Sequence, residues 1–305
     1  MRVKKWISRL MVVFAFAAMA IPAGPAAAAD KIGPKKCQEC HRAEYGVWEG
    51  TQHFKTLRSA HKNKKAKAIV AASGGAKSMR RNETCANCHY SLIDGKASAG
   101  PSCESCHGAA SEWLKKHNDL GGAKPGEETA DHKAKRLAAA KAAGMIHSSM
   151  LYDIAENCNG CHTMQNVDPA TAGKLIDAGH PINGEYELVK YSQGQVRHRF
   201  YPPDVTKNKE MTKAEMANMF LTGHAVGIVY ATNGLKKSNN ATYKAEMEKR
   251  IASATKALSA VKGQVPSAGA LISSPTEQNG RKFVADIKGK DLSGAVGGML
   301  PTTFK

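Results

Sequence analysis

The sequence has few aromatic side chains and only one long apolar run. Phe, Trp and Tyr make up 6% of the 305 residues, which is few for the core of one large or two small domains. Beyond the N-terminal segment, no stretch approaches the ~20 consecutive apolar residues of a membrane-spanning helix. The sequence also shows no catalytic carboxylate pair, nucleophile triad or phosphate-binding loop. These absences argue against a membrane-embedded protein and against the common hydrolytic and nucleotide-binding enzymes.

The N-terminal segment has the pattern of a secretory signal peptide. Four basic residues precede an apolar run from Leu10 to Ile21, and small residues then form an Ala-x-Ala site that ends near Ala29. The apolar run is too short to be a membrane span. The sequence therefore predicts a signal peptide at residues 1–29 and an exported protein, located in the periplasm or at the extracellular side of the outer cell surface.

All eight cysteines occur in four Cys-x-x-Cys-His motifs. The motifs comprise Cys37, Cys40 and His41; Cys85, Cys88 and His89; Cys103, Cys106 and His107; and Cys158, Cys161 and His162. This is the attachment signature of c-type haem, in which two thiols bond the porphyrin and the histidine is an axial ligand of the iron. Zinc half-sites, redox dithiols and structural disulfides are the alternatives. None of them requires a histidine after each cysteine pair, so we expect four covalently attached haem c groups.

Four porphyrins would supply the apolar bulk that the aromatic content lacks. They would also bring eight propionates, which offset much of the formal net charge of +18. The basic balance therefore does not indicate nucleic-acid binding, although a basic patch could dock an acidic redox partner.

The chain divides into three regions by composition. After the signal peptide, residues 30–235 carry the four motifs, and residues 236–305 contain neither Cys nor His. We expect short helices separated by loops around the motifs and little β-structure, because strand signals are sparse. Helices are predicted over residues 132–145 and 244–262, and a short strand pair over residues 281–294. Thr212 and Glu215 form a capping box that starts another helix.

Eight histidines remain as candidates for the second axial position of each iron. They are His53, His61, His117, His132, His147, His180, His198 and His224. His117 follows His107 by ten residues, and two side chains on one helix cannot approach one iron from opposite faces. His117, and by the same argument His53, should therefore serve the haem of another motif. His224 follows Met216, Met219 and Phe220 on one apolar helix face, where we expect a ligand rather than a core residue.

The motifs and their surroundings resemble a known family. CQECHRAEYGVWEGTQH at residues 37–53, the CANCH and CESCHG pair, and YPPDV followed by MANMFLTGH resemble the small tetrahaem cytochromes of ammonia-oxidising bacteria, over roughly residues 34–230. The founding member of that family accepts electrons from hydroxylamine oxidoreductase. The core is also similar to extracellular cytochromes of metal-reducing bacteria, some of which polymerise into filaments and donate a histidine between subunits.

The resemblance implies a mainly α-helical multihaem cytochrome c, in which short helices and long loops wrap four closely stacked haems. It also implies a set of axial partners. By position, His117 would complete the His41 haem, His53 the His107 haem and His224 the His162 haem. The second haem of the founding member lacks a strong sixth ligand. Here His198 is predicted to fill that position opposite His89, with His180 and His147 as rivals.

We therefore predict an electron carrier rather than an enzyme, because iron with two histidine ligands has no vacant position for substrate. Its partners would be redox proteins or extracellular electron acceptors. The alternative is an enzyme that reduces a small nitrogen oxide or peroxide at one open haem. A third possibility is a homopolymer, a haem filament used for extracellular electron transfer.

Overall fold

The computed structural model describes residues 29–124, 126–182, 186–202 and 204–305. The predicted signal peptide, apart from Ala29, lies outside the described residues. Within the described residues no helix is long and apolar enough to cross a membrane. The described chain is mostly helical, as predicted, and its strands are confined to one hairpin.

Short helices make up the first half of the chain. They are α1 (Pro34–Gln38), α2 (Arg42–Gly50), α3 (Gln52–Ser59), α4 (Ala66–Ala72), α5 (Glu83–His89), α6 (Cys103–His107), α7 (Leu114–Asn118) and α8 (Ala130–Ala142), with a 3-10 turn at Ala60–Lys62. Strands β1 (Ser91–Ile93) and β2 (Lys96–Ala99) form an antiparallel hairpin between α5 and α6. This hairpin connects the second motif to the third.

Longer helices dominate the second half. They are α9 (Leu151–His162), α10 (Pro169–Asp177), α11 (Leu188–Ser192), α12 (Lys213–Lys237), α13 (Ala241–Val261), α14 (Ser267–Ser273), α15 (Glu277–Ile287) and α16 (Ser293–Val296), followed by a 3-10 turn at Gly297–Met299. The Thr212–Glu215 capping box begins α12, as predicted. The predicted helices over residues 132–145 and 244–262 correspond to α8 and α13.

Two helical predictions need correction. The segment from His107 to His117 is not one helix, because α6 ends at His107 and Gly108 follows with a φ of 83°. A Cβ at Gly108 would also collide with the carbonyl oxygen of Gly144. The segment from His41 to His53 is likewise divided at Thr51, whose extended backbone ends α2 and whose hydroxyl caps α3.

The predicted strand pair near residues 281–294 is also wrong. The first half of that segment belongs to α15, whose buried Phe283 and Ile287 lie one helical turn apart in the main apolar core. An i, i+4 pair of apolar side chains is typical of a helix that buries one face, and here the helical period prevails over the β-branched and aromatic composition.

The largest apolar core lies in the second half of the chain. It is built around α12 and includes buried side chains from α9, α13, α14, α15 and α16, among them Leu221, Leu258 and Leu271. The domain boundary predicted at residues 235/236 falls in the last turn of α12. The helices that follow this boundary therefore share one core with the helix that precedes it.

Candidate haem-binding site

Each motif histidine faces a second histidine from elsewhere in the chain. The ring centroids are 6.1 Å apart for His41 and His117, 5.9 Å for His162 and His53, 6.2 Å for His89 and His180, and 6.2 Å for His107 and His198. Four independent pairs thus have nearly the same separation. None of the eight histidines is used twice.

This separation fits one iron bound between two imidazoles. A metal–imidazole bond of about 2 Å on each side, plus about 1.2 Å from each nitrogen to its ring centre, places the centroids about 6.4 Å apart when the arrangement is linear. The observed pairs are only slightly closer than this value. Centroid separations of this size also occur between rings in direct edge-to-face contact, so it is the repetition of the pairing at all four motif histidines that points to iron.

The outer ring nitrogens of several of these histidines are held by acceptors. The Nδ1 atom of His107 lies 2.9 Å from the carbonyl oxygen of Ile146. The Nδ1 atom of His180 lies 2.9 Å from the carbonyl oxygen of Pro181, and that of His198 lies 2.6 Å from the carbonyl oxygen of Val196. A carbonyl oxygen only accepts, so Nδ1 carries the proton in each case and Nε2 keeps its lone pair. This is the tautomer in which a histidine binds a metal through Nε2.

His41 follows the same pattern with a carboxylate. Its Nδ1 lies 3.5 Å from Oε1 of Glu44, one turn into α2. This contact raises the pKa of His41. A carboxylate on the outer nitrogen orients the ring and makes the inner nitrogen a stronger donor.

Burial keeps most of the paired imidazoles in the neutral form that binds iron. Burial, with the neighbouring His180, lowers the pKa of His89 to about 4. It likewise lowers the pKa of His117 and of His162 to about 4, and it lowers the pKa of His53, His107 and His180. A protonated imidazole has no free lone pair, so these surroundings favour ligation over a positive charge.

The thiols of different motifs lie against each other. The thiol of Cys37 lies beside that of Cys103, the thiol of Cys106 beside that of Cys158, and the thiol of Cys88 beside that of Cys161. The thiol partner, together with burial, raises the pKa of Cys37, Cys88 and Cys106. None of the eight cysteines forms a disulfide. The contacts place the first motif beside the third, the third beside the fourth, and the fourth beside the second.

A cavity of about 1750 Å³ lies between the second and fourth motifs. Its lining includes Cys85, Cys88, Cys158, Cys161 and the histidine pairs His89–His180 and His53–His162. It exceeds the roughly 300–1,000 Å³ of a typical small-ligand pocket. The remaining lining includes apolar side chains such as Ile69, Val70 and Leu175. The volume of the cavity, its apolar lining and the thiols and histidine pairs on its wall are all consistent with large apolar groups attached to these motifs.

The zinc alternative finds no support in these contacts. Across the part of the chain that the structure describes, no group of three or more His, Cys, Asp or Glu side chains is arranged to hold a metal ion. A tetrahedral zinc site needs four such ligands around one point. The observed arrangement instead repeats two histidines on opposite sides of a gap.

The pairing differs from the one that the resemblance implied. Only His117 opposite His41 agrees. His53 lies opposite His162 rather than His107, and His198 lies opposite His107 rather than His89. His180, predicted only as a rival, faces His89. Because α2 and α3 are separate helices, the direction of His53 could not be read from its spacing to His41.

His224 is not part of a pair in the described residues. It lies on α12 beside Phe220, with ring centroids 4.4 Å apart, and lines a separate cavity of about 220 Å³ with Tyr186, Glu246 and Arg250. Its predicted place opposite His162 is taken by His53. The other face of His162 stacks on Tyr186, at 4.8 Å between centroids.

The three remaining histidines have other surroundings. His61 is exposed. His132 contacts the carboxylate of Glu128 through Nδ1, and His147 contacts the hydroxyl of Ser149. With His224, they make four histidines that lie outside the pairs.

Comparisons with known proteins agree with these features. The protein-family model described as "Cytochrome c554 and c-prime" matches residues 36–108, which include the first three motifs. Cytochrome c-554 of Nitrosomonas europaea is 30% identical over 205 residues, which cover 60% of this chain and 83% of that protein. No solved structure gives a significant match. The chain therefore belongs to the cytochrome c554 family, and thus to the electron-transferring cytochromes that bind haem c covalently.

Proposed function

We propose that the protein is an exported electron carrier with four haem c groups, each held by one motif and one further histidine. The observation that supports this most directly is the set of four His–His pairs with centroids 5.9–6.2 Å apart. A bound haem supplies a ferric/ferrous couple, and two imidazole ligands leave its iron no open position. Every iron would be completed within one chain.

The proposed axial pairs are His41–His117, His89–His180, His107–His198 and His162–His53. The covalent attachment residues are Cys37, Cys40, Cys85, Cys88, Cys103, Cys106, Cys158 and Cys161. The thiol contacts between motifs support an unbranched row of attachment sites in the order first, third, fourth, second. Such a row suits transfer of electrons between two ends of the molecule.

The pairing of His89 with His180 favours a carrier over the enzyme alternative. Reduction of a nitrogen oxide or peroxide would need one iron with a free face. Each motif histidine faces a second histidine of the same chain. This favours a protein that needs no histidine from a neighbouring subunit over a polymer in which the next subunit donates one. Export to the periplasm or the cell exterior is proposed because the N-terminal sequence resembles a signal peptide.

Replacement of His180 tests the proposal at its most specific point. His180→Ala should convert one of four six-coordinate haems to a five-coordinate, high-spin haem that binds carbon monoxide when reduced. The matched control is His147→Ala, which removes a half-buried histidine outside the pairs and should leave the spectrum unchanged. Mass spectrometry should first show four covalent haems in each protein.

Two outcomes would contradict the proposal. The proposed function is contradicted if the purified, unmodified protein holds fewer than four haems or shows a high-spin fraction. The ligand assignment alone fails if His147→Ala, and not His180→Ala, opens a carbon monoxide site.

A further inference from the structure

One segment of the chain is strongly basic and contains no acidic residue. Residues 50–82 include nine Lys and Arg residues and no Asp or Glu. The nine are Lys55, Arg58, Lys62, Lys64, Lys65, Lys67, Lys77, Arg80 and Arg81, and all are exposed. Among the described residues, none of them makes an ion pair with a carboxylate.

Five of these bases surround the large cavity between the second and fourth motifs. We call Lys55, Arg58, Lys62, Lys64 and Lys65 the basic rim, because all five line that cavity. The helix that carries Lys55 and Arg58 also carries His53. The side chain of Lys65 lies so close to Gly179 that a Cβ there would be 2.9 Å from the Lys65 Cδ. Gly179 immediately precedes His180, so the charges lie next to two of the proposed axial ligands.

Nothing on the protein side neutralises the basic rim. The described lining of the cavity contains no Asp or Glu. Two haems in this cavity would carry four propionates, which is fewer than the five bases of the rim and the nine bases of the segment. A positive surface would therefore persist in the loaded protein. Such a surface focuses the electrostatic field and raises the association rate of anionic partners.

The opposite end of the row of motifs has a different surface. The side chain of His41 is 52% exposed, and the surrounding segment from residue 35 to residue 49 carries three bases and three acids. The two ends of the proposed row are thus distinguished by charge. A partner selected by electrostatics would choose the end formed by the second motif.

We propose that the basic rim is the docking site for an acidic redox protein that exchanges electrons at the second-motif end. This inference rests on the proposed function. An acidic protein is favoured over nucleic acid because the segment exposes no Phe, Trp or Tyr side chain on which bases could stack. It is favoured over a membrane surface because the segment exposes no large apolar side chain to insert between lipids.

The test compares two charge reversals of equal size in the haem-loaded protein. The rim variant is Lys55→Glu/Lys62→Glu/Lys64→Glu. The control variant is Lys244→Glu/Lys256→Glu/Lys262→Glu, which changes exposed lysines at the C-terminal end of the chain by the same total charge. The probes are a small acidic flavodoxin for binding by calorimetry, and ferricyanide and hexaamminecobalt(III) as anionic and cationic oxidants of the reduced protein. In each case a ferrous haem loses one electron and the oxidant gains it.

The rim variant should bind the acidic flavodoxin at least ~10-fold more weakly at low salt, and its oxidation by ferricyanide should slow by a similar factor. Oxidation by the cationic complex should become faster. The control variant should change these values much less, and salt near 0.5 M should reduce the differences. Unchanged Soret spectra in both variants would show that the haem sites are intact.

Several results would overturn the docking site. It fails if both variants lose affinity and rate equally, or if neither does. It also fails if the unmodified protein does not bind the acidic flavodoxin but does bind anionic phospholipid vesicles or single-stranded DNA through the rim. If the unmodified protein holds no haem or exchanges no electrons with either oxidant, the proposed function fails instead.

Discussion

At the scale of single residues, the surroundings of each imidazole decide its role. His180 and His198 hold a proton on Nδ1 against a carbonyl oxygen, so Nε2 points away from that contact with its lone pair. His132 instead contacts a carboxylate that Arg136 also binds, and its ring centre lies near no other histidine in the described chain. Paired and unpaired histidines are therefore separated by whether a second imidazole faces them, which sequence spacing does not show.

His224 provides a pH test of this separation. Burial, with Arg250, lowers the pKa of His224 to about 4, whereas the unfolded chain takes up the proton near the ordinary value of about 6.5. The free energy of unfolding should therefore fall as the pH drops from about 6.5 to about 4, by at most ~3 kcal/mol. In His224→Gln this contribution is lost, and the slope between those pH values should be smaller. Denaturant unfolding at pH 7, 5.5 and 4.5 measures it.

The same variant tests whether His224 binds iron. His224→Gln should keep all four haems low-spin, because the residue lies in its own cavity with Glu246 and Arg250. Parallel pH slopes in the two proteins, or a new high-spin signal in the variant, would contradict this placement and restore His224 as a ligand.

At the scale of helices, the long helices could be predicted from sequence periodicity, whereas the points at which short helices end could not. The long helices α12 and α13 follow from a capping box and an apolar stripe. The break after His107 depends on the left-handed conformation of Gly108 and on its contact with the backbone at Gly144. Gly144 lies 36 residues from Gly108 along the chain, so the local sequence pattern does not predict the end of the helix. The histidine that faces His53 depends on the break at Thr51, and it differs from the one that the resemblance implied.

One arginine links three helices in the second half of the chain. Arg281 on α15 bonds Asp153 and Glu156 on α9, at 2.9 Å each, and lies over the ring of Tyr152. Glu156 in turn accepts a hydrogen bond from Tyr230 on α12. Arg281→Gln should therefore lower the free energy of unfolding by about 1 kcal/mol, a modest value because the side chain is 41% exposed.

The neighbouring residue supplies the control for this helix contact. Lys282→Gln removes a single exposed pair with Asp286 on the same helix and should cost less than about 0.5 kcal/mol. Chemical denaturation of both variants measures the difference. Equal losses would mean that the network between α15 and α9 adds nothing beyond an ordinary surface pair.

At the scale of the whole molecule, apolar burial is distributed unevenly. The core around α12 extends through α9, α13, α14, α15 and α16. In the first half, the apolar cluster around Trp113 contains only three other buried residues, Ala110, Ala140 and Met145. The aromatic residues themselves are spread evenly along the chain, but the smaller apolar cluster coincides with the region of the first three motifs.

This asymmetry predicts how the chain behaves without its cofactor. A protein made in a form that cannot attach haem should keep α9 and α12–α16 folded, because their core consists of side chains alone. The segment from α1 to α7 should be loosely ordered, since bound groups would have to supply most of its apolar contacts. Hydrogen exchange followed by mass spectrometry should show slow exchange in α12, α13 and α15, and fast exchange in α1–α7. The haem-loaded protein should protect both regions.

The comparison separates two accounts of the haem-free C-terminal helices. If they stay protected in the apoprotein, they form a preassembled base on which the motif-bearing half folds as haem is attached. Fast exchange throughout the apoprotein would mean that even this core depends on the cofactor. Slow exchange throughout would mean that the first half is stable without haem, and the role of the porphyrins as its core would have to be abandoned.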